Sequence, residues 1–339
     1  MSNTSTLANY ALNTSQLNLY LESMIDSKTP TMIWGPPGCG KSMCVQQYAE
    51  KNGMKYADIR AVLLDPVDLR GIPYRDEKSR TRWAPPVFLP PEDTDEKWLI
   101  NLEEPQLAPP MVQAALYQLL LDRKIGEYTL PESAIIVACG NREVDGGVYN
   151  RFSHALATRF RHIELVADPE SWKQWGAAND IAPQVLFFIT YRPVLLMDYD
   201  PRSREHTFPC PRTWEFVSDV VKKNGSIPAD IERSIYVGII GESAAAEFCA
   251  FLRCWRELPH PQTVIDDPEN CEVPENTSSL LALCGSLYRL ADDENFGSIV
   301  TFAKRLRVEI GEFLIWGAVQ KDASLQYTNA YVSWAAEAA

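Results

Sequence analysis

The sequence predicts an α/β domain that is followed by a helical region, and three observations indicate this fold class. Short apolar runs typical of buried strands, among them TMIW at 31–34 and AIIVACGN at 134–141, alternate with helical patterns over the first half of the chain. Apolar strands separated by helices indicate a parallel sheet with helices on both faces. From Asp168 onward the strand patterns fade, and helical patterns continue to the C-terminus.

The first half contains the elements of such a sheet in order. A helix is predicted over 14–25, the strand TMIW follows it, and a helix over 42–53 ends at Asn52-Gly53, a common stop signal. The elements predicted after this helix are a strand over 55–64, an irregular loop over 65–96, a strand over 97–105, a helix over 108–124, a short hairpin over 125–133, and strands over 134–141 and 162–166.

The second half is predicted to be helical, with breaks near Val166–Pro169 and Asn224–Pro228. These breaks divide the chain into an α/β domain over 1–166, a helical subdomain over 167–225 and a helical C-terminal extension over 226–339. One long pattern in the extension runs over 295–319. The aromatic residues of the extension are expected to fill a helical core that leaves one face exposed, and a partner interface is the alternative. They are Trp255, Tyr288, Phe296, Phe302, Phe313, Trp316, Tyr331 and Trp334.

Composition and charge argue against several classes of protein. No apolar run approaches the ~20 residues that a membrane-spanning helix needs, and the N-terminus lacks the basic and apolar regions of a secretory signal, so we expect a soluble protein of the cytoplasm. Eight scattered cysteines without a CxxC pair and only four histidines argue against a zinc site or a disulfide framework. A net charge of −13 argues against a nucleic-acid partner. The stretch at 75–82 carries four cations and is interpreted as a solvated loop rather than a basic strip.

Residues 35–42 read GPPGCGKS and fit the pattern G-x-x-x-x-G-K-[ST] in full. A strand is predicted before them and a helix after them, which is the context that a phosphate-binding loop requires, so a chance glycine turn is disfavoured. In such a loop the backbone N–H groups surround a phosphate, Lys41 contacts the β- and γ-oxygens, and Ser42 supplies an oxygen to Mg²⁺. The predicted nucleotide-binding residues are Gly35, Pro36, Pro37, Gly38, Cys39, Gly40, Lys41 and Ser42.

Two carboxylates end the apolar run LINLEE at 99–104. They fall at the carboxyl edge of a predicted parallel strand, where ligands bind in open α/β sheets. Glu103 is the candidate metal ligand beside Mg²⁺, and Glu104 is the candidate that polarises an attacking water. The alternative, a solvated acidic loop, is weaker because the preceding residues have the character of a buried strand.

Three further polar residues are candidates for the same reaction. Asn141 ends the strand AIIVACGN and would project towards the same edge, although a strand-terminal Asn is more often a cap or turn residue. Arg159 precedes a predicted strand. Arg212 lies at a predicted helix start, where a cation is unfavourable with the helix dipole and therefore invites an anionic partner. A surface ion pair is the alternative for each arginine.

Taken together, these segments resemble an AAA+ ATPase of the MoxR family. The resemblance rests on GPPGCGKS, WLINLEEPQLAPPMVQAALYQLL, AIIVACGNREVDGG, ALATRF and PCPRTWEF, in that order, and covers about residues 14–225. It implies a P-loop NTPase sheet followed by an α-helical lid and an α-helical C-terminal extension. It assigns Lys41 and Ser42 to Walker A, Glu103 and Glu104 to Walker B, Asn141 to sensor 1, Arg159 to an arginine finger that reaches a neighbouring subunit, and Arg212 to sensor 2.

The resemblance also implies cofactors and partners. ATP and Mg²⁺ are expected, and no guanine-reading N/T-K-x-D motif follows the loop. Members of the family assemble as rings, usually hexamers, and remodel a protein target together with a partner that has a von Willebrand factor A domain. No DxSxS-type motif occurs in this chain, so that partner would be a separate protein. The hairpin at 122–133 is assigned to the helix-2 insert of this clade.

The sequence leaves more than one function open. The leading hypothesis is an ATP-driven ring motor that remodels a protein. The family usually has Asp where this chain has Glu103, and the additional methylene keeps open a slow-hydrolysing, nucleotide-gated scaffold. A kinase is disfavoured because it has no use for a lid arginine or a finger in trans. A DNA-translocating motor is disfavoured by the acidic balance.

Overall fold

The computed structural model describes residues 10–24, 27–145, 152–223, 227–256 and 260–338. They form two compact units. The first comprises the described residues up to Trp172 together with Met197–Glu205 and Cys210–Arg212, and the second comprises Lys173–Leu196, His206–Pro209 and the described residues from Thr213 onward. The predicted division at residues 166 and 225 stays a prediction, and the break near Asn224–Pro228 lies partly outside the described residues.

The first unit contains the β-structure. Its strands are β1 (Thr31–Trp34), β2 (Lys55–Arg60), β3 (Ile72–Arg75), β4 (Thr81–Ala84), β5 (Trp98–Glu103), β6 (Lys124–Ile125), β7 (Tyr128–Thr129), β8 (Ala134–Gly140) and β9 (Arg161–Glu164). Five of them form one parallel sheet in the order β2-β5-β8-β1-β9. The predicted parallel sheet is therefore confirmed.

Helices cover both faces of this sheet. They are α1 (Thr14–Met24), α2 (Lys41–Lys51), α3 (Pro66–Arg70), α4 (Pro110–Asp122) and α5 (His154–Ala157). Alternate strand residues face opposite sides. Met32 lies in a buried cluster with Val112 and Leu116 of α4, whereas its neighbour Ile33 lies in another cluster with Leu17 of α1 and Val45 of α2. Because both faces of the three central strands, β5, β8 and β1, are buried, these strands are mostly apolar, which is why their positions could be predicted.

The segment between β2 and β5 differs from the prediction. The strand predicted over 55–64 ends at Arg60, and the predicted irregular loop over 65–96 contains α3 and an antiparallel hairpin in which Ile72 pairs with Ala84. Every residue of β3 is exposed, and its four residues include Pro73, which disfavours a strand, so the sequence gives no clear strand signal here. Two of the four cations at 75–82, Arg80 and Arg82, lie against the Asp76 carboxylate.

A second hairpin, β6–β7, confirms the strand pair predicted over 125–133. The resemblance assigns this hairpin to a helix-2 insert, and the order of elements along the chain shows that this assignment is wrong. An insert in the second core helix must lie between the second and third strands of the sheet, whereas β6–β7 lies between the third and fourth, β5 and β8. The hairpin in the required position is β3–β4, which follows α3.

The remaining helices lie from Pro169 onward, and most of their residues belong to the second unit. They are α6 (Pro169–Ala178), α7 (Pro183–Tyr191), α8 (Pro211–Lys222), α9 (Ala229–Ile240), α10 (Glu242–Arg256), α11 (Pro261–Asp266), α12 (Thr277–Leu290), α13 (Phe296–Ala303), α14 (Val308–Lys321) and α15 (Asn329–Ala338). The pattern over 295–319 forms two helices rather than one. Arg305 in the intervening turn donates to the carbonyl oxygens of Pro268 (2.6 Å) and Cys271 (2.8 Å), which fixes the break. Helix α11 is too short to give a periodic pattern.

The aromatic residues of the C-terminal extension mostly fill cores, as expected. Phe296 and Phe302 are buried in one cluster, and Phe313 and Trp334 pack against it. Trp316 is 66% exposed and stands outside this core. Across the described residues, no helix combines the length and the apolar character needed to cross a membrane.

Candidate functional site

The loop GPPGCGKS connects β1 to α2 at the carboxyl edge of the sheet. Gly38 (φ 78°) and Gly40 (φ 100°) have left-handed backbone conformations that other residues adopt only with strain. A Cβ atom on Gly38 would lie 2.4 Å from the Cys210 Sγ, so the segment that begins at Cys210 packs directly on the loop. The backbone N–H of Arg212 donates to the Gly38 carbonyl at 3.4 Å. The loop therefore has the glycine-dependent shape that a phosphate cradle needs.

The Lys41 ammonium lies inside this loop and is largely buried. It donates to the carbonyl oxygens of Gly35 (2.9 Å) and Pro36 (3.0 Å) and to the Asn141 Oδ1 (2.8 Å). A buried ammonium needs acceptors on every side. These three oxygens hold the charge at the point where phosphate oxygens would bind.

Glu103 ends β5 close to Ser42 at the start of α2, and the Ser42 hydroxyl acts to lower the pKa of the Glu103 carboxyl. The fully buried Asn101, two residues earlier on the same face of the strand, donates to Glu103 and to the Tyr56 hydroxyl at 3.0 Å. Burial raises the pKa of the Glu103 carboxyl, while the nearby Ser42 hydroxyl and the hydrogen bond from Asn101 oppose this rise. Hydroxyl and carboxylate oxygens are the ligands that Mg²⁺ prefers, so Ser42 and Glu103 fit that ion.

Replacing Glu103 with Gln is expected to stabilise the metal-free and nucleotide-free protein. A carboxyl whose pKa is higher in the folded than in the unfolded chain contributes stability below the unfolded pKa, and this contribution is lost as the pH rises through the folded value. Ionised Glu103 therefore lowers the free energy of unfolding at neutral pH, and an amide removes that penalty. The unfolding temperature of E103Q should exceed that of the wild type at about pH 8 and approach it at about pH 5. A lower unfolding temperature for E103Q at both pH values would contradict this account.

Glu104 and Asn141 meet in one hydrogen-bonded group. Glu104 has a left-handed backbone (φ 50°), which is uncommon for a residue with a side chain and is concentrated at functional sites. Its N–H donates to the Cys139 carbonyl at 2.7 Å, and its Oε2 accepts from the Asn141 N–H at 3.2 Å. The strand order explains why Asn141 lies between Lys41 and Glu104. Asn141 directly follows β8, and β8 lies between β1, which leads into the phosphate loop, and β5, which leads into the carboxylates.

Gln106 completes this group and was not identified from the sequence. Its side chain is buried, and its Nε2 donates to the Glu104 carboxylate and to the Asn141 carbonyl at 3.4 Å. Gln113 of α4 in turn donates to the backbone of Gln106 at 3.4 Å. A glutamine two residues after the acidic pair has no periodic signal, and only the turn at Glu104 brings it back to the carboxylate.

A buried ion group follows Asn141 and was also not identified from the sequence. Arg142 donates to both carboxylate oxygens of Asp145, at 2.7 and 2.9 Å, and also contacts Glu164 at the end of β9. The Asp145 and Glu164 side chains are almost fully buried, and hydrogen bonding to Asp145 raises the pKa of Arg142 further. This group fixes the turn that positions Asn141.

Neither predicted arginine has a described side-chain hydrogen bond to the other predicted site residues. The Arg159 guanidinium contacts Tyr117 of α4 rather than the loop or the carboxylates. The exposed Arg212 contacts the loop through its backbone N–H, and its side chain has no salt-bridge partner in the part of the chain that the structure describes. The structure therefore brings together Lys41, Ser42, Glu103, Glu104 and Asn141, whereas the Arg159 guanidinium lies on Tyr117 and neither arginine has a described salt bridge to a carboxylate.

The cysteines around the loop are poorly reactive. Burial raises the pKa of the Cys39 and Cys139 thiols and raises that of Cys44 to about 11, so these thiols remain protonated at neutral pH. Among the described residues, no group of three or more His, Cys, Asp or Glu side chains could hold a metal ion. Any metal at this site is therefore bound by few protein ligands and by a ligand such as phosphate.

Comparison with known proteins gives matches among solved structures alone. No family model matches the chain, and no curated protein matches it. NtrX from Brucella abortus in complex with ADP aligns at 13% identity with a TM-score of 0.41, covering 98% of this chain and 68% of that chain. Another NtrX structure aligns at 14% identity with a TM-score of 0.39 over 79% of this chain. The alignment covers 63% of that NtrX chain, so this chain spans less than two thirds of its length. The Holliday junction branch migration motor RuvB of Thermotoga maritima gives 16% identity and a TM-score of 0.39 over 80% of each chain.

Proposed function

We propose that this chain is an ATPase of the AAA+ type, resembling the MoxR family, that hydrolyses ATP in a ring and uses the energy to remodel a protein target. The observation that carries the proposal is the group at one sheet edge: the ammonium of Lys41, the neighbouring side chains of Ser42 and Glu103, and the carboxylate of Glu104 joined to Asn141. The phosphate loop binds the nucleotide, and the carboxylates stand beside it.

The residues of this group divide the reaction between them. Lys41 would transfer its hydrogen bonds from carbonyl oxygens to phosphate oxygens and stabilise the charge that develops on them. Glu104 would orient and polarise the attacking water, and Asn141 and Gln106 hold its carboxylate in place. Ser42 and Glu103 would hold Mg²⁺, which when bound neutralises charge between the β- and γ-phosphates.

Two arginines complete the proposed mechanism. Arg159, outside the group in its own chain, would reach the γ-phosphate bound by a neighbouring copy. Charge stabilisation supplied in trans makes turnover depend on assembly, because a single chain lacks one part of the site. Arg212, on the segment packed against Gly38, would contact the nucleotide bound by its own chain and so report occupancy to the helical lid over 167–225.

The proposed partners rest on the resemblance to the MoxR family and on the net charge of the chain. A hexameric ring, a protein target and a separate partner with a von Willebrand factor A domain belong to this proposal. The net charge of −13 favours a protein over a nucleic acid as the substrate, because a phosphate backbone would be repelled at long range.

The proposal is tested by measuring ATP hydrolysis with Mg²⁺ over a range of protein concentrations, together with the mass from light scattering. Turnover per chain should rise cooperatively as a ring-sized species appears, and K41A should remain inactive at every concentration. Turnover that is independent of concentration in a monomer would contradict a site completed in trans. Negligible turnover in rings that ATP stabilises would instead support the nucleotide-gated scaffold.

A further inference from the structure

Among the described residues, the guanidinium of Arg159 is held by one neutral side chain, that of Tyr117. Its Nη2 donates to the Tyr117 hydroxyl at 2.7 Å, and its guanidinium carbon lies 5.1 Å from the centre of the Tyr117 ring. Tyr117 belongs to α4, whereas Arg159 follows α5, 42 residues later in the chain. One tyrosine thus supplies both a hydrogen-bond acceptor and an aromatic face to the same cation.

Two further sets of hydrogen bonds hold the backbone turn that precedes Arg159. The Ser153 hydroxyl caps α5 by accepting from the Leu156 N–H at 3.1 Å. His162 on β9 lies 2.8 Å from the Ala157 carbonyl through Nε2, and its Nδ1 accepts from the Trp34 indole N–H at 2.9 Å. Because Nδ1 accepts, Nε2 carries the proton and donates to Ala157. The turn that carries Arg159 is therefore anchored to the last residue of β1, immediately before the phosphate loop.

The burial of the pair shows how firmly the guanidinium is held. The Tyr117 ring packs against the buried cluster beneath α4 and cannot turn away without exposing it. The Nε of Arg159 is buried and has no acceptor among the described residues, and no described carboxylate forms a salt bridge with this arginine. Arg159 as a whole is partly buried and has no described counter-charge, so an incoming anion would meet a positive charge that is not neutralised.

Tyr117, which holds the Arg159 guanidinium, is uncharged, and it therefore does not neutralise the arginine. An Asp or Glu in place of Tyr117 would orient the guanidinium equally well but would neutralise its charge. A tyrosine orients the arginine and leaves its positive charge available. This arrangement suits an arginine that must be rigid before its anionic partner arrives, since ordering a free side chain during binding lowers the gain in affinity.

We propose that Tyr117 is the positioning residue of Arg159, orienting its guanidinium towards a phosphate bound by a neighbouring copy of this chain. The inference rests on the proposed function, because it assumes that Arg159 acts in trans. It adds a residue of α4 to the interface between copies and predicts that the arginine acts as a rigid pair with its tyrosine.

The first test is Y117F, which keeps the aromatic ring and removes the hydroxyl. Turnover of the assembled ring at saturating ATP should fall about tenfold, the typical effect of losing a hydrogen bond to a charged group. ATP affinity, ring mass and unfolding temperature should stay unchanged, since the core-facing ring is retained. Y327F is the matched control, because Tyr327 is 80% exposed. Unchanged turnover in Y117F would overturn the inference.

A double-mutant cycle separates positioning from a general structural role. If Tyr117 acts through Arg159, Y117F should cause no further loss of turnover in an R159A background. An equal loss in both backgrounds would overturn the inference. If R159A itself hydrolyses ATP normally, the proposed trans mechanism fails. If R159A is impaired and Y117F is not, only the inference about Tyr117 fails.

Mixing experiments identify the nucleotide site on which Tyr117 acts. E104Q chains should not hydrolyse ATP, but they retain an intact Tyr117–Arg159 pair. As E104Q chains are added, turnover per Y117F chain should rise towards the wild-type value. The control is a series in which wild-type chains are mixed with E104Q chains at the same ratios. Failure of E104Q to restore turnover, with wild-type mixtures remaining active, would show that Tyr117 acts within its own chain and would overturn the inference.

Discussion

Replacing Glu104 with Gln is expected to lower ATP turnover by about 10²–10³-fold while ATP binding is retained. The amide is not basic enough to accept a proton from water. Both described donors face one oxygen of the carboxylate, Oε2, so the amide oxygen can take its place and the local structure is kept. Gln106 and the backbone N–H of Asn141 both donate to Glu104, so the site is built for an acceptor at this position. Lys41, which would contact the phosphates, and Ser42, which would hold Mg²⁺, are not altered.

The measurement is single-turnover hydrolysis together with equilibrium binding of ATP. E77Q is the matched control, because Glu77 is an exposed carboxylate on the β3–β4 hairpin. E104Q should bind ATP within about twofold of the wild type and should still form rings. If E104Q hydrolyses ATP at close to the wild-type rate, Glu104 does not activate the water and the role assigned to the acidic pair is wrong.

Much of the fold could be predicted because burial determines it. The sheet strands lie between two layers of helices, so β1, β5 and β8 are short runs of apolar residues bounded by turn residues. The phosphate loop has a sequence pattern dictated by backbone geometry, since Gly38 and Gly40 have conformations that few other residues adopt. The loop is therefore readable without any knowledge of the sheet.

The unpredicted features have contacts that leave no periodic trace in the sequence. The β3–β4 hairpin is exposed along β3, and its sequence predicts an irregular loop. Gln106 reaches Glu104 through a turn whose left-handed residue is a glutamate rather than a glycine. Tyr117 meets Arg159 across 42 residues, and in the sequence it is one of several large side chains on an apolar helix. Such contacts depend on how elements pack together, which pattern analysis along one chain does not capture.

Replacing Arg159 with Ala is expected to lower the turnover of assembled rings by about 10³-fold, because a finger in trans stabilises the charge that develops during phosphoryl transfer. The effect should appear in turnover and not in the affinity of one chain for ATP, since Arg159 lies apart from the phosphate loop of its own chain. Removing the side chain also leaves the Tyr117 hydroxyl without its donor, so the unfolding temperature of R159A is measured beside turnover. R204A is the control for loss of an exposed arginine.

Mixing R159A chains with K41A chains distinguishes a finger in trans from one that acts within its own chain. K41A lacks the ammonium that contacts the phosphates but retains Arg159, whereas R159A retains the complete group of Lys41, Glu103 and Glu104. Each variant alone should be inactive. In a mixed ring some R159A sites lie next to a K41A chain that supplies the missing arginine, and turnover should return in proportion to the number of such neighbours. An arginine that acted on the nucleotide of its own chain could not be replaced in this way, and mixtures would then be no more active than their components.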